Sequence, residues 1–365
     1  MLLIILFCLL AVLSFSKKDN NRDVLILLFV LGAISIVLSR GSSDFPIYKM
    51  FYDKIEPLYL VILGYNDYFV NNTLRVESGF KILNSVFKVF TNQVEVVYLF
   101  CNFFILLIIY IFFRTKSQNF FKLLLPYFVF VFITTQVAII RQASAIAVFF
   151  YSIQFITDRK FLNYFSGTFI GFLFHRSALF LSLLYFVVKK EYSSKTVIIT
   201  FTIGMLLFLQ VFHFSFLSFV NGLIVYLPDS ISETASFYIA QLKDFEVPSR
   251  FTLGIFENTG MMFLLIWMRF RMKKAGTWSD FMNISFNFSI LYIFIYIYFF
   301  EFTNIIYRIN YYFIFFKFFI IVRYIESLEI KDNRMIANFI LVLYCGIMLI
   351  VRLKQPAFYY LWYPL

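Results

Sequence analysis

VEVVYLFCNFFILLIIYIFF, Val94–Phe113, decides what kind of molecule this is. A helix rising 1.5 Å per residue needs about 20 mostly apolar residues to cross a hydrocarbon core roughly 30 Å thick, and this run supplies them. The same template, moved outward along the chain, marks about twelve spans. They are Met1–Ser16, Val24–Ser39, Val94–Phe113, Phe120–Gln136, Ala138–Ile156, Phe161–Phe174, Arg176–Val188, Thr196–Phe212, Phe251–Met268, Phe281–Phe300, Thr303–Val322 and Met335–Val351. Several are short, and the two that flank His175 read as half-helices.

Composition agrees. Of 365 residues, 62% are hydrophobic, 23% aromatic and 14% charged, and mean hydropathy is +0.84. One water-soluble core cannot hide that much apolar surface, so a soluble enzyme, a secreted disulfide scaffold and a disordered chain are excluded. The expected class is an all-α, polytopic membrane protein forming a single integral membrane domain over 1–365. A formal charge of +12 would suggest nucleic acid in a soluble protein, but here it reflects cytoplasmic loops, and no nucleic-acid partner is expected. Cys8, Cys101 and Cys345 lie in apolar runs, and His175 and His213 have no ligand-spaced companions, so neither a metal site nor a cofactor is expected. Met1–Ser16 lacks a basic leader and a small-residue cleavage site, and reads as a retained helix.

Orientation follows from lysine and arginine. Alternate loops carry Lys17, Lys18 and Arg22; Arg114, Lys116 and Lys122; Arg159 and Lys160; Lys189, Lys190 and Lys195; Arg269, Arg271, Lys273 and Lys274; and Arg323, Lys331 and Arg334. The positive-inside rule makes these loops cytoplasmic and turns both termini outward. The two long loops, 40–93 and 213–250, then face out, and long loops in a compact protein usually serve more than connection. Within the first, ESGFKILNSVFKVF (Glu77–Phe90) sets Phe80, Leu83, Phe87 and Phe90 against Lys81, Asn84, Ser85 and Lys88. That is an amphipathic helix on or in the outer surface, or else a short extra span.

Charges inside spans cost roughly 2.5 kcal/mol or more unless paired or wet, so each needs a reason. AIIRQASAIA, Ala138–Ala147, places Arg141 and Gln142 before small residues that admit a neighbouring helix or headgroup. Arg141 suits a diphosphate, or pairs with an acid such as Glu257 and locks two helices. GTFIGFLFHRSALF sets Gly167 and Gly171 four apart, then His175 and Arg176 at a turn; His175 is a base, a phosphate contact or a capped turn residue. EFTNIIYRINYYF spaces Glu301, Asn304, Arg308 and Tyr312 along one helical face, either for an anion with Tyr311 or Tyr312 stacking on sugar, or for an internal Glu301–Arg308 pair. RGSSDFPIYKMFYD steps Arg40, Asp44, Tyr48 and Tyr52 by four, although Pro46 would start a helix or interrupt one. Glu257, about 9 Å into its helix, requires an ion pair or a polar cavity, and Arg250 lies seven residues before it. Arg141, Arg176, Arg250 and Arg308 all fall near outer helix ends, which suggests a shared anion site rather than interfacial snorkels.

In this order, the patches resemble the EpsG-like and Wzy-type family of bacterial polysaccharide polymerases. The resemblance rests on Arg40-Gly41 with Asp44 and Tyr48, Glu77-Ser78-Gly79-Phe80, Arg141-Gln142 with following alanines, His175 with Ser177-Ala178, Arg308 with Tyr311-Tyr312-Phe313, and Tyr363-Pro364. Arg176, directly after His175, departs from what the resemblance leads one to expect. The resemblance implies a GT-C-like glycosyltransferase of the bacterial cytoplasmic (inner) membrane with its active face toward the periplasm. It would join oligosaccharide units carried on undecaprenyl diphosphate, for O-antigen, capsule or exopolysaccharide, with a chain-length regulator as a further partner. Arg40, Arg141, Gln142, Arg176, Arg250 and Arg308, with Tyr48, Tyr311 and Tyr312, are then expected at the diphosphate and sugars. Asp44, Glu77 and His175 are the candidate bases. The rivals are a flippase for the same lipid-linked sugar, which should carry polar residues through the depth of its bundle, and another GT-C-like transferase such as an O-antigen ligase.

Overall fold

The computed structural model describes residues 2–16, 21–42, 44–71, 76–209, 222, 226, 253–300 and 308–354. Among them all regular structure is helical. Among the described residues four helices are long and apolar enough to cross a membrane: Asn21–Ser39, Val94–Arg114, Asp280–Tyr298 and Lys331–Leu353. Shorter apolar helices accompany them: Leu2–Ser14, Phe120–Gln136, Phe161–Phe174, Ala178–Val187 and Ser194–Phe208. This is the build of a membrane protein. The helices group into two compact units, Met1–Val187 with Val322–Leu365, and Val188–Ile321.

In the first unit, α1 (Leu2–Ser14), α2 (Asn21–Ser39), the segment α3 (Phe45–Lys54), α4 (Leu58–Ile62), α5 (Asp67–Asn71) and α6 (Ser78–Lys88), and then α7 (Val94–Arg114), follow one another. α7 is the opening apolar run, and α2 packs along it. Next come α8 (Phe120–Tyr127), α9 (Ile140–Ser152), α10 (Gln154–Thr157), α11 (Phe161–Phe174), α12 (Ala178–Leu181) and α13 (Leu184–Val187). α9 packs on both α7 and α11. Glycine permits the second contact, since a Cβ at Gly167 would collide with the Ser152 side chain and one at Gly171 would stand 3.6 Å from the Ala145 carbonyl oxygen.

Pro126 lies inside α8 and cannot donate an intrahelical hydrogen bond. The chain widens into a π-helical stretch, Phe128–Gln136, before a turn leads to α9. Gln136, fully buried, accepts from the Tyr127 hydroxyl at 3.2 Å and donates to the Asn102 carbonyl at 3.2 Å. The expected break between the spans at Phe120–Gln136 and Ala138–Ile156 is therefore present.

The first long loop is a folded helical cap. Glu56 accepts the Tyr68 and Phe69 N–H groups at 2.7 and 2.9 Å, closing the open start of α5. Ser85 donates to the Glu56 carbonyl at 2.5 Å, and Lys81 to that of Phe69 at 2.8 Å. The amphipathic helix exists as α6, but it is turned differently from the simple reading. Asn84 and Ser85 are buried beside Phe80, while Ile82, Val89 and Phe90 are exposed, Phe90 to 80%. Ser85 turns inward because the cap offers it the Glu56 carbonyl, whereas the Asn84 amide donates to the Phe80 carbonyl of its own helix.

The second unit contains α14 (Ser194–Phe208), α15 (Leu253–Lys274) and α16 (Asp280–Tyr298), with both α14 and α15 packed on α16. A Cβ at Gly204 would lie 2.7 Å from the Tyr298 ring, and the Tyr298 hydroxyl donates to the Thr200 carbonyl at 2.6 Å. Asn287 donates to the carbonyls of Val188 and Lys190 at 2.7 and 2.8 Å, tying down the basic loop before α14. The span expected over Thr303–Val322 is not one helix across its described part. Residues 311–315 form turns, and α17 (Phe316–Ser327) starts only after them. The Asn310 carbonyl accepts from both Phe313 and Ile314 at 3.0 Å, which tightens the chain out of α-helical spacing. α18 (Lys331–Leu353) completes the order; it belongs to the first unit and packs there on α1 and α8.

Candidate functional site

Four elements of the first unit meet at one end of its helices. Pro46 sits in the first turn of α3, so it starts that helix and leaves Asp44 just ahead of it. The four-residue step of a helix then sets Tyr48 above Asp44, and their Oη and Oδ2 atoms are 3.4 Å apart. Tyr48 is buried among aromatic rings, 5.6 Å from Phe80 and 6.2 Å from Tyr98 between centroids. Burial raises its phenol above the usual tyrosine value, with Arg141 acting in the opposite direction. Its hydroxyl is therefore a standing donor.

Arg141 is the second residue of α9. Its Nε donates to the Tyr48 hydroxyl at 3.1 Å, its guanidinium lies 5.2 Å from the centre of that ring, and Nη1 pairs with Glu77 Oε2. The pair is largely withdrawn from solvent, with side-chain exposures of 21% and 9%. Arg141 thus pairs with Glu77 rather than Glu257.

Glu77 stands in extended backbone immediately before α6. Gly79 explains how it gets there: a Cβ on Gly79 would be 2.7 Å from the Leu173 carbonyl oxygen, so only glycine lets the start of α6 press on the end of α11. That contact brings Glu77 beside the turn after α11, where the Arg176 N–H approaches Glu77 Oε1 at 3.4 Å. His175 ends α11 in extended conformation, and its Nδ1 lies 2.7 Å from Ser177 Oγ. The Arg176 side chain is exposed, and its charge, after burial, is the second cause lowering the Lys81 amine.

Asp44, Tyr48, Arg141 and Glu77 therefore form one continuous hydrogen-bonded chain, and Glu77 joins it to the His175–Arg176–Ser177 turn. Arg40 lies beyond this set, exposed and paired with Glu95 at 3.0 Å at the head of α7. The expected four-residue step from Arg40 to Asp44 is not helical, because α2 ends at Ser39 and α3 begins at Phe45. Gln142 is buried in the packing of α9, 1% exposed. Arg308, Tyr311 and Tyr312 belong to the second unit. Arg308 is exposed, Tyr311 half-buried and Tyr312 fully buried against Phe313. Tyr312 as placed offers no face for stacking on a sugar. Arg250, Glu301, Asn304 and the loop 213–250 apart from residues 222 and 226 lie outside the described residues, as do Tyr359 and Tyr363-Pro364.

Sequence reading passed over one residue. Lys317 stands alone in YYFIFFKFFIIV, the only charge between Arg308 and Arg323. A lone lysine in so apolar a run was a sufficient signal, and it proves to be the partner of Glu257 at 2.6 Å.

No curated protein and no solved structure matches the chain. The EpsG family matches over residues 23–365, nearly the whole length. The chain therefore belongs to the EpsG family, and this membership points to a polysaccharide-polymerase type of role, glycosyltransferase-like, for a protein of the membrane.

Proposed function

We propose that the protein is a membrane glycosyltransferase that joins oligosaccharide units carried on undecaprenyl diphosphate at the outer face of a bacterial cytoplasmic membrane. About twelve spans in a GT-C-like arrangement belong to this reading. The product is O-antigen or a similar surface polysaccharide, with a chain-length regulator as a further partner. The observation that carries the proposal is the convergence of Asp44, Tyr48, Glu77, Arg141 and the His175–Arg176–Ser177 turn, from four separate elements, in one cluster. Membership of the family supplies the reaction class.

The chemistry needs an anion clamp and a base. A hydroxyl oxygen of the incoming lipid-linked unit attacks the anomeric carbon of the growing chain. The bond from that carbon to the diphosphate breaks, and the electron pair leaves with the lipid diphosphate. Arg176, exposed beside the cluster, and Arg141, held in orientation by Glu77 and Tyr48, are the groups that meet this charge. Both Glu77 oxygens already have donors, so Glu77 positions Arg141. Asp44 and His175 remain as acceptors for the hydroxyl proton.

Deletion of the gene in its source bacterium tests the reading, with surface glycans resolved by size. A ladder collapsing to a single-unit band supports it. Loss of even that band, with lipid-linked units retained inside, would assign a flippase instead.

A further inference from the structure

A groove in the first unit has no part in the chemistry above. α2 packs antiparallel to α7. Arg40, just past the end of α2, pairs with Glu95 at the head of α7, and Asn21, the first residue of α2, meets Tyr110 near the other end of α7. Leu25, Ile26, Leu28, Phe29, Phe103 and Leu107 line a cavity of about 370 Å³ along this contact. All six are apolar, and Leu25, Ile26, Phe29 and Phe103 stay between 45% and 59% exposed, so the groove opens sideways from the helix pair.

Cations stand at one end of it. Arg22 precedes Leu25, Ile26 and Phe29 by three, four and seven residues, and Arg114 follows Leu107 and Phe103 by seven and eleven. Each arginine therefore shares the helix face that lines the groove. Both are exposed. By helix rise Phe29 is about 10 Å from Arg22, and Phe103 about 16 Å from Arg114. That is the hydrocarbon depth of one leaflet, half of roughly 30 Å. Tyr110 holds one guanidinium in place. Arg114 reaches back one turn to donate to the Tyr110 hydroxyl at 2.5 Å and lies 5.6 Å from the centre of its ring. That hydroxyl donates in turn to Asn21 Oδ1 at 3.5 Å. The sequence carries no acid between Glu95 and Asp158. Asp23 falls on the face of α2 that holds Leu27 and Val30, away from the groove. Glu326, packed on the loop after α7, already accepts from Ser117, Gln118, Asn119 and Arg323.

We propose that this groove binds one anionic glycerophospholipid of the surrounding bilayer, an acyl chain lying against Phe29, Phe103 and Leu107 and the phosphate on Arg114 and Arg22. The apolar part has the length of one leaflet, and the cations stand where a headgroup lies. Any bilayer tail fills a lipid-facing groove; the arginines at its end select the headgroup. Phosphate oxygens accept from a guanidinium's paired N–H donors, whereas a lipid of zero net charge brings a cation of its own to the same place. Basic recesses between spanning helices take anionic headgroups for this reason. About 28 Å of α2 separates this site from the end at which α3, with Asp44 and Tyr48, begins, so the lipid is not one held by the Glu77–Arg141 cluster. The site does not rest on the polymerase reading.

The test is native mass spectrometry of the full chain, stripped of lipid in mild detergent and then offered phosphatidylglycerol and phosphatidylcholine of one chain length in equal amounts. The wild type should retain one phosphatidylglycerol, and that lipid, unlike phosphatidylcholine, should raise its unfolding temperature. Arg22→Gln with Arg114→Gln should weaken phosphatidylglycerol retention at least tenfold and remove that rise, because charge-assisted hydrogen bonds are lost. Ile26→Trp fills the groove from a wall position 53% exposed, leaves both arginines in place, and should also lose the lipid. Lys49→Gln, which removes an exposed charge on α3, should retain it. Equal retention of the two lipids by the wild type, or unchanged selectivity in the double arginine variant, would overturn the proposal. An equal loss in Lys49→Gln would overturn it in favour of overall charge. Displacement of phosphatidylglycerol by a polyprenyl diphosphate offered in competition would overturn it in favour of a substrate-lipid groove.

Discussion

Glu77 and Arg141 are 64 positions apart in the chain and form an ion pair that joins the start of α6 to the start of α9. Arg141 makes a second hydrogen bond through Nε to Tyr48. Two directional contacts from one guanidinium fix its plane, which a lysine ammonium cannot reproduce.

Arg141→Ala is expected to abolish polymer while the protein stays in the membrane. Loss of one preorganised donor to a developing negative charge typically costs a factor of about 100–1000 in rate. Arg141→Lys should retain less than about a tenth of the activity, because it keeps the charge but not the fork. Glycan gels beside immunoblots of membrane fractions read both. A normal ladder from Arg141→Lys would reduce the role to simple charge.

Tyr48→Phe removes the hydroxyl that bridges Asp44 and Arg141 and nothing else. Burial holds the phenol above its ordinary value, so the hydroxyl stays protonated across the working range. The rate should fall by about tenfold, by the same factor at every pH from about 6 to about 9, as suits a hydrogen bond worth about 1 to 1.5 kcal/mol. A factor that changes with pH would mean that Tyr48 exchanges a proton during the reaction.

Gly79→Ala leaves every chemical group in place and should still damage the site. The new Cβ meets Leu173 backbone oxygen at 2.7 Å, and that backbone has little freedom to move. Overpacking of this kind costs about 1–3 kcal/mol, and relief by tilting α6 would draw Glu77 away from Arg141. Gly64→Ala is the contrast. Gly64 has a φ of +91° with nothing within 4 Å, so the substitution costs about 1 kcal/mol of backbone strain and leaves activity intact. Thermal unfolding and polymer yield, measured on both, separate the two effects.

Glu326→Gln should lower stability by about 1–3 kcal/mol without touching the Glu77–Arg141 cluster. The buried carboxylate accepts from Ser117 Oγ at 2.5 Å, Gln118 N at 2.9 Å, Asn119 N at 3.3 Å and Arg323 at 2.9 Å, and an amide nitrogen turned toward these donors would lose part of the set. The unfolding temperature should drop while specific activity below that temperature is unchanged.

By itself the sequence determined the membrane class and the helical architecture. Apolar runs such as Val94–Phe113 leave backbone groups no partner but their own helix, so composition and length suffice. It also named Asp44, Tyr48 and Arg141, since charges and their neighbours near span ends need a reason to be there, while Glu77 came in with the family resemblance. Only the tertiary structure decided who meets whom. It gave Arg141 to Glu77, and Glu257 to a lysine that sequence reading had passed over. It turned Ser85 of α6 inward, because the cap offers the Glu56 carbonyl on that side. It broke the chain at 311–315, where packing on Phe288 and the tightened turn at Asn310 override local periodicity. Helical periodicity is a property of residues three and four apart, whereas these pairings close loops of tens of residues, and local sequence carries no term for that distance.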